Sequence, residues 1–295
     1  ICVLVLGALY MKGLSEKKKI EVMTTKEDLQ FLTSFGEIDL LAEAVYVYDI
    51  KNDTALFAKN ENTPLPLASL TKVVTALVAL ETVPEKAIVP ITAQALNEEG
   101  DTGLRIGERW RVSDLTRFML VNSSNDAAEA IALAVSKIIS PEATTIDPFI
   151  VLMNQKSADL RLTSATFSNA TGLDAPDLLS TGGTASAKDI TVLLVALLKQ
   201  FPDVFTATSI NKISVRSLDG FLHTAKNTNM NANSTQLLYA SKTGFTDLAG
   251  GNLSIVFQAG PGRPVAITVL GSTENGRFTD VAALLAATMR YITAQ

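Results

Sequence analysis

One cysteine and one histidine, Cys2 and His223, are all that the 295 residues supply of either type. A lone thiol forms no intrachain disulfide, so the fold must rest on its core. A zinc centre of His and Cys lacks ligands, which disfavours a zinc peptidase, and no metal or other cofactor is expected. A Cys–His nucleophile pair is possible only on paper, because Cys2 lies in an apolar terminal run. Basic clusters are equally scarce. The formal net charge is -5 and the only basic block is Lys17, Lys18 and Lys19, so nucleic-acid binding is not expected. No G-x-S-x-G is present, which removes the Ser-His-Asp hydrolases built on that motif. His223 has no triad context and reads as a surface or loop histidine.

Long apolar runs are also missing, with one exception. Ile1 to Tyr10 (ICVLVLGALY) is almost wholly apolar, about half of the roughly 20 residues a spanning helix needs. A mostly polar stretch from Ser15 to Asp28 follows. The pair reads as the tail of a signal peptide or membrane anchor rather than a buried core helix. With no small-x-small cleavage site, an uncleaved anchor is expected. Residues 1–11 are then the signal or anchor segment, 12–36 a linker or initial helix, and 37–295 the working domain.

What is present is enough apolar material for a large core: 47% of residues are hydrophobic and 19% charged. From Ala44, AVYVYDI and TALFAK predict two strands joined at Lys51-Asn52-Asp53. Pro64 and Pro66 precede a strong helix, Ser69 to Thr82. The region from about residue 90 to 181 reads as mainly helical. It includes Ser113 to Met119, with Ser113 as a candidate cap, and Asp126 to Ile139. Lys188 to Gln200 is another helix. Strands return at Leu237 to Lys242, Asn252 to Ala259 and Val265 to Ser272, the last two facing each other across Gly260–Pro264. Thr279 to Thr293 closes the chain as a helix. Strands at both ends with helices between them predict an α+β fold: a mixed sheet completed by both ends, covered by helices, with an inserted helical lobe.

Three short motifs carry chemistry. Ser69-Leu70-Thr71-Lys72 puts a hydroxyl and an amine on one helix face, where a desolvated lysine can take the serine proton. Ser123-Ser124-Asn125 precedes the next helix; a hydroxyl and an amide two residues apart can point into one cleft, or simply cap that helix. Lys242-Thr243-Gly244 ends a predicted strand, where a lysine, a hydroxyl and an unobstructed backbone could face an anion. Copies of the first two patterns recur at Ser15/Lys18, Ser209/Lys212 and Ser209/Asn211, so neither is specific alone. In the order S-x-x-K, S-x-N, K-T-G they form the set of penicillin-binding proteins and class A β-lactamases.

With those motifs, the stretches PLASLTKVVTALVALE, MLVNSSNDAAEAIA, FSNATGLD and KTGFTDLAGGNL resemble the D-alanyl-D-alanine carboxypeptidases known as low-molecular-mass penicillin-binding proteins, over roughly Leu40 to Tyr291. The resemblance implies a β-lactamase/transpeptidase-like fold, with a mostly antiparallel sheet flanked by helices beside an all-helical lobe. It implies Ser69 as nucleophile, Lys72 as general base and Ser123 as the group passing a proton to the leaving D-alanine. Asn125 would bind the peptide backbone, and Lys242 and Thr243 beside Gly244 the terminal carboxylate. The N–H groups of Ser69 and Phe245 would form the oxyanion hole. Implied partners are peptidoglycan stem peptides ending in D-Ala-D-Ala, β-lactam antibiotics, and the cytoplasmic membrane through the N-terminal segment, with the domain exported to its outer face. Two positions depart from relatives: Phe245 replaces a histidine and Thr228 an arginine. The C-terminal β-rich domain of several relatives has no counterpart in this sequence.

Two rivals differ in predictable ways. A serine β-lactamase needs a deacylating carboxylate, which in class A is a glutamate between S-x-N and K-T-G. Only Glu129 and Glu142 lie there, and neither has the class A context. A non-catalytic penicillin-sensing domain would keep Ser69 and Lys72 and signal without turnover.

Overall fold

The computed structural model describes residue 30 and residues 33–36, 38–100, 103–235 and 237–294. The apolar run at residues 1–10 and nearly all of the expected linker lie outside the described residues. Phe35, within that linker, is buried against Phe57 and Tyr291.

In chain order the first strands are β1 (Ala44–Asp49), β2 (Thr54–Lys59) and β3 (Leu65–Pro66). A 3-10 turn, Ala68–Thr71, leads into α1 (Lys72–Thr82). There follow β4 (Ile88–Pro90), β5 (Arg109–Arg111), α2 (Val112–Asn122), α3 (Asn125–Ile139), α4 (Asp147–Asp159), β6 (Thr166–Phe167) and β7 (Gly183–Ala185). Then come α5 (Ala187–Gln200), α6 (Pro202–Phe205), β8 (Lys212–Arg216), β9 (Leu222–Lys226), β10 (Leu238–Thr246), β11 (Gly250–Gln258), β12 (Pro264–Ser272) and α7 (Gly276–Thr293).

The main sheet has the order β10-β11-β12-β1-β2. Both chain ends complete it, Ala44 pairing with Leu270 and Asp49 with Val265. Every described pairing is antiparallel, so the mixed sheet expected from the strand–helix–strand pattern is corrected to an antiparallel one. The reason is local: β1–β2 and β10–β11–β12 are joined by short turns, which only antiparallel strands allow. Helix α7 packs on β11 and β12 from one side, its Leu284 clustered with Val45, Ile255 and Ile267, while α5 covers the other with α1 packed against it. α1 is apolar all round (KVVTALVALET), and Lys72 through Leu80 are all buried. Each buried Leu or Val there contributes about 1.5–3 kcal/mol relative to exposure. Helices α2, α3 and α4 form the lobe beside the sheet, with the β4–β5 ribbon at its margin.

Other expectations change. α2 begins at Val112, not Ser113. Arg111 is its cap residue without a capping side chain, which leaves Ser113 inside the first turn rather than capping it. His223 is neither a surface nor a loop histidine: it sits in β9 at 8% exposure, between Trp110 and Phe118. Alternation along β9 turns His223 and Ala225 inward, and Nε2 lies 2.9 Å from Glu108 Oε2, though not aligned for a hydrogen bond. The β8–β9 hairpin was not read from the sequence because its strands are short and expose alternate polar residues.

Candidate active site

Ser69 sits half-buried in the 3-10 turn just ahead of α1, rather than in the first α-helical turn. Ala68 before it has φ 48°, a left-handed conformation unusual for alanine, which persists only when its surroundings impose it. They do so from three sides. Leu67 N donates to Gly183 O at 3.0 Å, and Asn252 Nδ2 donates to both Pro66 O and Leu67 O at 3.0 Å. Gly172, itself at φ 81°, lies so close that a Cβ would fall 1.9 Å from Ala68 O. Strand β10 supplies the third side: a Cβ on Gly244 would stand 2.7 Å from Leu67 O and 3.1 Å from Ser69 N. Only glycine lets the strand and the turn meet here.

One turn on, Lys72 is fully buried and its amine reaches three oxygens from three segments. These are Ser69 Oγ at 2.9 Å, Asn125 Oδ1 at 2.6 Å and Thr171 O at 2.7 Å. Asn125 opens α3, and its Nδ2 donates to Glu99 O at 2.7 Å. Ser124 caps that helix, its hydroxyl accepting from Ala127 N. Ser123, between α2 and α3, takes φ 63° and faces the strand. Its Oγ lies 2.8 Å from the Nζ of Lys242, which also donates to Thr243 O at 2.8 Å.

Lys242-Thr243-Gly244 does not end its strand. β10 runs on to Thr246, because Gly244 to Thr246 keep pairing with Asn252 to Gly250. Thr243 Oγ1 donates to Thr228 Oγ1, and Arg277 from α7 donates to Gly244 O at 2.6 Å. Phe245, beside Gly244, is exposed.

The charges follow from burial. Desolvation brings the Lys72 amine down to about 7, against a smaller upward pull from Glu98. Burial drives Lys242 well below the usual lysine range, reinforced by the positive charges of Lys72 and Arg277. A neutral Lys72 has two N–H donors and one lone pair. Asn125 Oδ1 and Thr171 O take the donors, which turns the lone pair towards Ser69. The arrangement can therefore accept the serine proton, and a second amine stands ready at Ser123.

The fold thus brings Ser69, Lys72 and Asn125 into one hydrogen-bonded group and Ser123 and Lys242 into another, with Thr243, Gly244 and Phe245 on the adjoining strand. It disposes of the repeated patterns. Ser209 Oγ is spent on Thr206 O, Asn211 and Lys212 are exposed, and Ser15/Lys18 lies outside the described residues. Sequence reasoning missed the carbonyl of Thr171, the clamp of Asn252, Arg277 and Glu98. The FSNATGLD stretch held the one available signal: Asn169 Oδ1 takes the N–H groups of Thr171 and Gly172 and so shapes the loop that offers Thr171 O.

Comparison with known proteins gives a consistent outcome. The sequence profile described as D-alanyl-D-alanine carboxypeptidase matches residues 31–274. The chain is 29% identical over 269 residues to the D-alanyl-D-alanine carboxypeptidase DacC of Escherichia coli (strain K12), covering 85% of this chain and 62% of that protein. It is 27% identical over 217 residues to a D-alanyl-D-alanine endopeptidase of Pseudomonas aeruginosa, covering 72% of this chain and 66% of that one. Among solved structures, Penicillin-Binding Protein D2 from Listeria monocytogenes in its cefotaxime-bound form superposes with a TM-score of 0.70 at 28% identity. The match covers 85% of this chain and 98% of that one.

Proposed function

The chain belongs to the D-alanyl-D-alanine carboxypeptidase family, and from that premise we propose that it removes the terminal D-alanine from peptidoglycan stem peptides ending in D-Ala-D-Ala. The observation that carries the reading is the buried amine of Lys72, 2.9 Å from Ser69 Oγ and held by two further acceptors. Ser69 Oγ attacks the penultimate carbonyl as its proton passes to Lys72. The oxyanion forms against the N–H groups of Ser69 and Phe245, from the turn and strand that Gly244 brings together. Collapse breaks the peptide bond. The departing D-alanine nitrogen takes a proton through Ser123, in net terms the one that Lys72 accepted from Ser69, while Lys242 holds the Ser123 hydroxyl at 2.8 Å; water then cleaves the acyl ester and restores the Ser69 hydroxyl. Asn125 holds the peptide backbone, and Thr243 with Lys242 receives the terminal carboxylate.

β-Lactams carry an acyl group and a carboxylate in similar relation, so the same serine is their target; the cefotaxime bound to the Listeria relative supports this. Export to the outer face of the cytoplasmic membrane is part of the proposal. It is supported by the location of such a substrate and by the apolar Ile1 to Tyr10. Among the described residues no single helix is long and apolar enough to cross a membrane.

The test is mass mapping after penicillin treatment, together with release of free D-alanine from a D-Ala-D-Ala peptide. One penicilloyl group on Ser69, lost slowly, and none on Ser69→Ala are expected. A label elsewhere sinks the serine assignment. Rapid penicilloate release moves the chain to the β-lactamases, and labelling with no D-alanine release favours a sensor. Cleavage of cross-linked peptides without D-alanine release would favour an endopeptidase.

A further inference from the structure

The β8–β9 hairpin has two unlike faces, and no step above uses the outer one. Ile213, Val215 and Ala225 pack into the core on the inner face. On the outer face Lys212 stands opposite Lys226, Ser214 opposite Thr224 and Arg216 opposite Leu222, all of them exposed. Like charges directly opposite each other weaken a strand pair, yet this face carries no acid to relieve Lys212 and Lys226. Neither lysine nor Arg216 makes an ion pair among the described residues. With a net charge of -5 on the whole chain, the basic stripe runs against the overall balance.

The tip of the same hairpin adds a second feature. Leu218, Phe221 and Leu222 stand there beside Ile106 of the neighbouring turn, each between 40% and 68% exposed. Arg105 Cζ lies 4.7 Å from the centre of the Phe221 ring, which joins that turn to the tip. Hydrogen bonds hold the tip in shape: Ser217 N donates to Phe221 O at 2.9 Å, and Leu218 N donates to Arg109 O at 2.8 Å. Arg216 Nη1 donates to Gly220 O at 2.6 Å. The one acid of the tip, Asp219, is taken up by Arg109, at 2.6 Å from its backbone N–H and 2.8 Å from its guanidinium. An apolar end on a basic shank is therefore built into the fold.

We propose that this hairpin docks the domain on an anionic phospholipid surface, its apolar tip entering the boundary of the acyl chains and its basic stripe lying on the headgroup phosphates. Charge complementarity and the tip together select that partner. An anionic polymer would engage the cations and leave four apolar side chains in water, whereas a lipid surface takes both. Docking would also place the site. Lys226 ends β9, and Thr228 just beyond it accepts a hydrogen bond from Thr243. The stretch from Phe221 to Thr228 spans at most about 25 Å at roughly 3.3 Å per residue, so a docked tip keeps the carboxylate end of the cleft within that distance of the lipid. The inference goes beyond the carboxypeptidase reading and depends neither on it nor on the apolar run at residues 1–10.

Trp110 is the chain's one tryptophan and is fully buried, so Phe221→Trp adds a reporter at the tip over a constant background. The full chain with that change is mixed with vesicles carrying brominated acyl chains, either phosphatidylcholine alone or phosphatidylcholine with phosphatidylglycerol. In the anionic vesicles the added indole should shift to the blue and lose about half or more of its emission, and far less in the neutral ones. Adding Lys212→Gln and Lys226→Gln should lower the ratio of quenched to unquenched indole about ten- to thirtyfold, since each cation near such a surface contributes about fivefold. Leu218→Ser with Leu222→Ser should abolish the quenching, with circular dichroism and penicillin labelling unchanged in every variant. Equal quenching in both kinds of vesicle, or quenching untouched by the lysine changes, overturns the proposal. So does an indole that stays in water with both lipids. A shift of its emission by soluble polyphosphate would then assign the face to an anionic polymer, and a dimer dissolved by the leucine changes would assign it to a second copy. If the parent is not labelled on Ser69, the carboxypeptidase reading fails, and the vesicle result still decides this one.

Discussion

Two serine–lysine pairs face each other across the site, built by opposite means. Ser69 and Lys72 are three residues apart, and one turn of chain makes them neighbours. Ser123 and Lys242 are 119 residues apart and meet only because the lobe packs against the edge of the sheet. The first amine is saturated by three oxygens and sits near 7; the second has two partners and lies well below its usual range, with Lys72 and Arg277 among the causes. A local pair can be tuned by its own helix and the groups around it. A remote pair registers whether the whole domain is assembled, which suits a second proton-transfer step that must wait for substrate to bridge lobe and sheet.

The sharpest way to break that comparison is to remove the local amine. Lys72→Met keeps the buried volume and deletes the base, so acylation by penicillin should fall about a thousandfold or more, within the usual worth of a positioned general base. Stopped-flow or quenched labelling, with circular dichroism to check folding, measures it. A loss under tenfold would show that Lys242 or solvent can replace Lys72, and the division of labour between the two pairs would collapse.

A smaller and more selective loss is expected from the remote pair. Lys242→Gln on a peptide with a free terminal carboxylate should cost about ten- to a thousandfold in kcat/KM, the worth of one or two charge-assisted hydrogen bonds. On the C-terminally amidated peptide, already poor, the same change should cost much less. Equal losses on both substrates would remove carboxylate reading from Lys242 and leave its contact with Ser123 as its role.

How much of this was readable without coordinates follows the same local–remote divide. The apolar run of α1, the hydrophobic spacing of α3 and α5 and the β11–β12 hairpin sit in contiguous residues, and so do the three motifs; all were legible. The sheet's wholly antiparallel pairing was less so, since it depends on how β1 meets β12 from opposite ends of the chain. The inward turn of His223 was illegible in a short hairpin with one buried face of two residues. Thr171 O, Asn252 and Arg277 contribute through a carbonyl, a clamp and a contact from behind the strand. None has a spacing rule, because each is defined by what it touches after folding. Glu98 belongs to the same class: nothing in Asn97-Glu98-Glu99 says which segment that loop will cover.

The last comparison concerns stability, where lobe and sheet should respond to pH in opposite senses. In the lobe, burial followed by Glu98 raises Glu129 from 4.5 to about 7. The folded state then binds more protons than the unfolded one between those values, so this group's contribution falls as pH rises through that window. In the sheet, Asp49 is fully buried at the end of β1. Burial pushes it up, but Arg263 at 2.7 Å and the side chain and backbone of Asn52 outweigh that and hold it below 3.8. Its stabilisation is complete above the unfolded value of 3.8 and is lost as pH falls through the lower folded value. Glu129→Gln should therefore gain about 1–2 kcal/mol relative to the parent at pH 8 compared with pH 4, a discounted figure for a carboxyl that is not wholly dry. Asp49→Asn should lose stability at pH 8 and converge on the parent in acid. Urea unfolding midpoints at four or five pH values measure both. If Glu129→Gln tracks the parent at every pH, the lobe carboxyl is not held protonated by the fold, and the contrast between the two halves of the domain reduces to the two lysines alone.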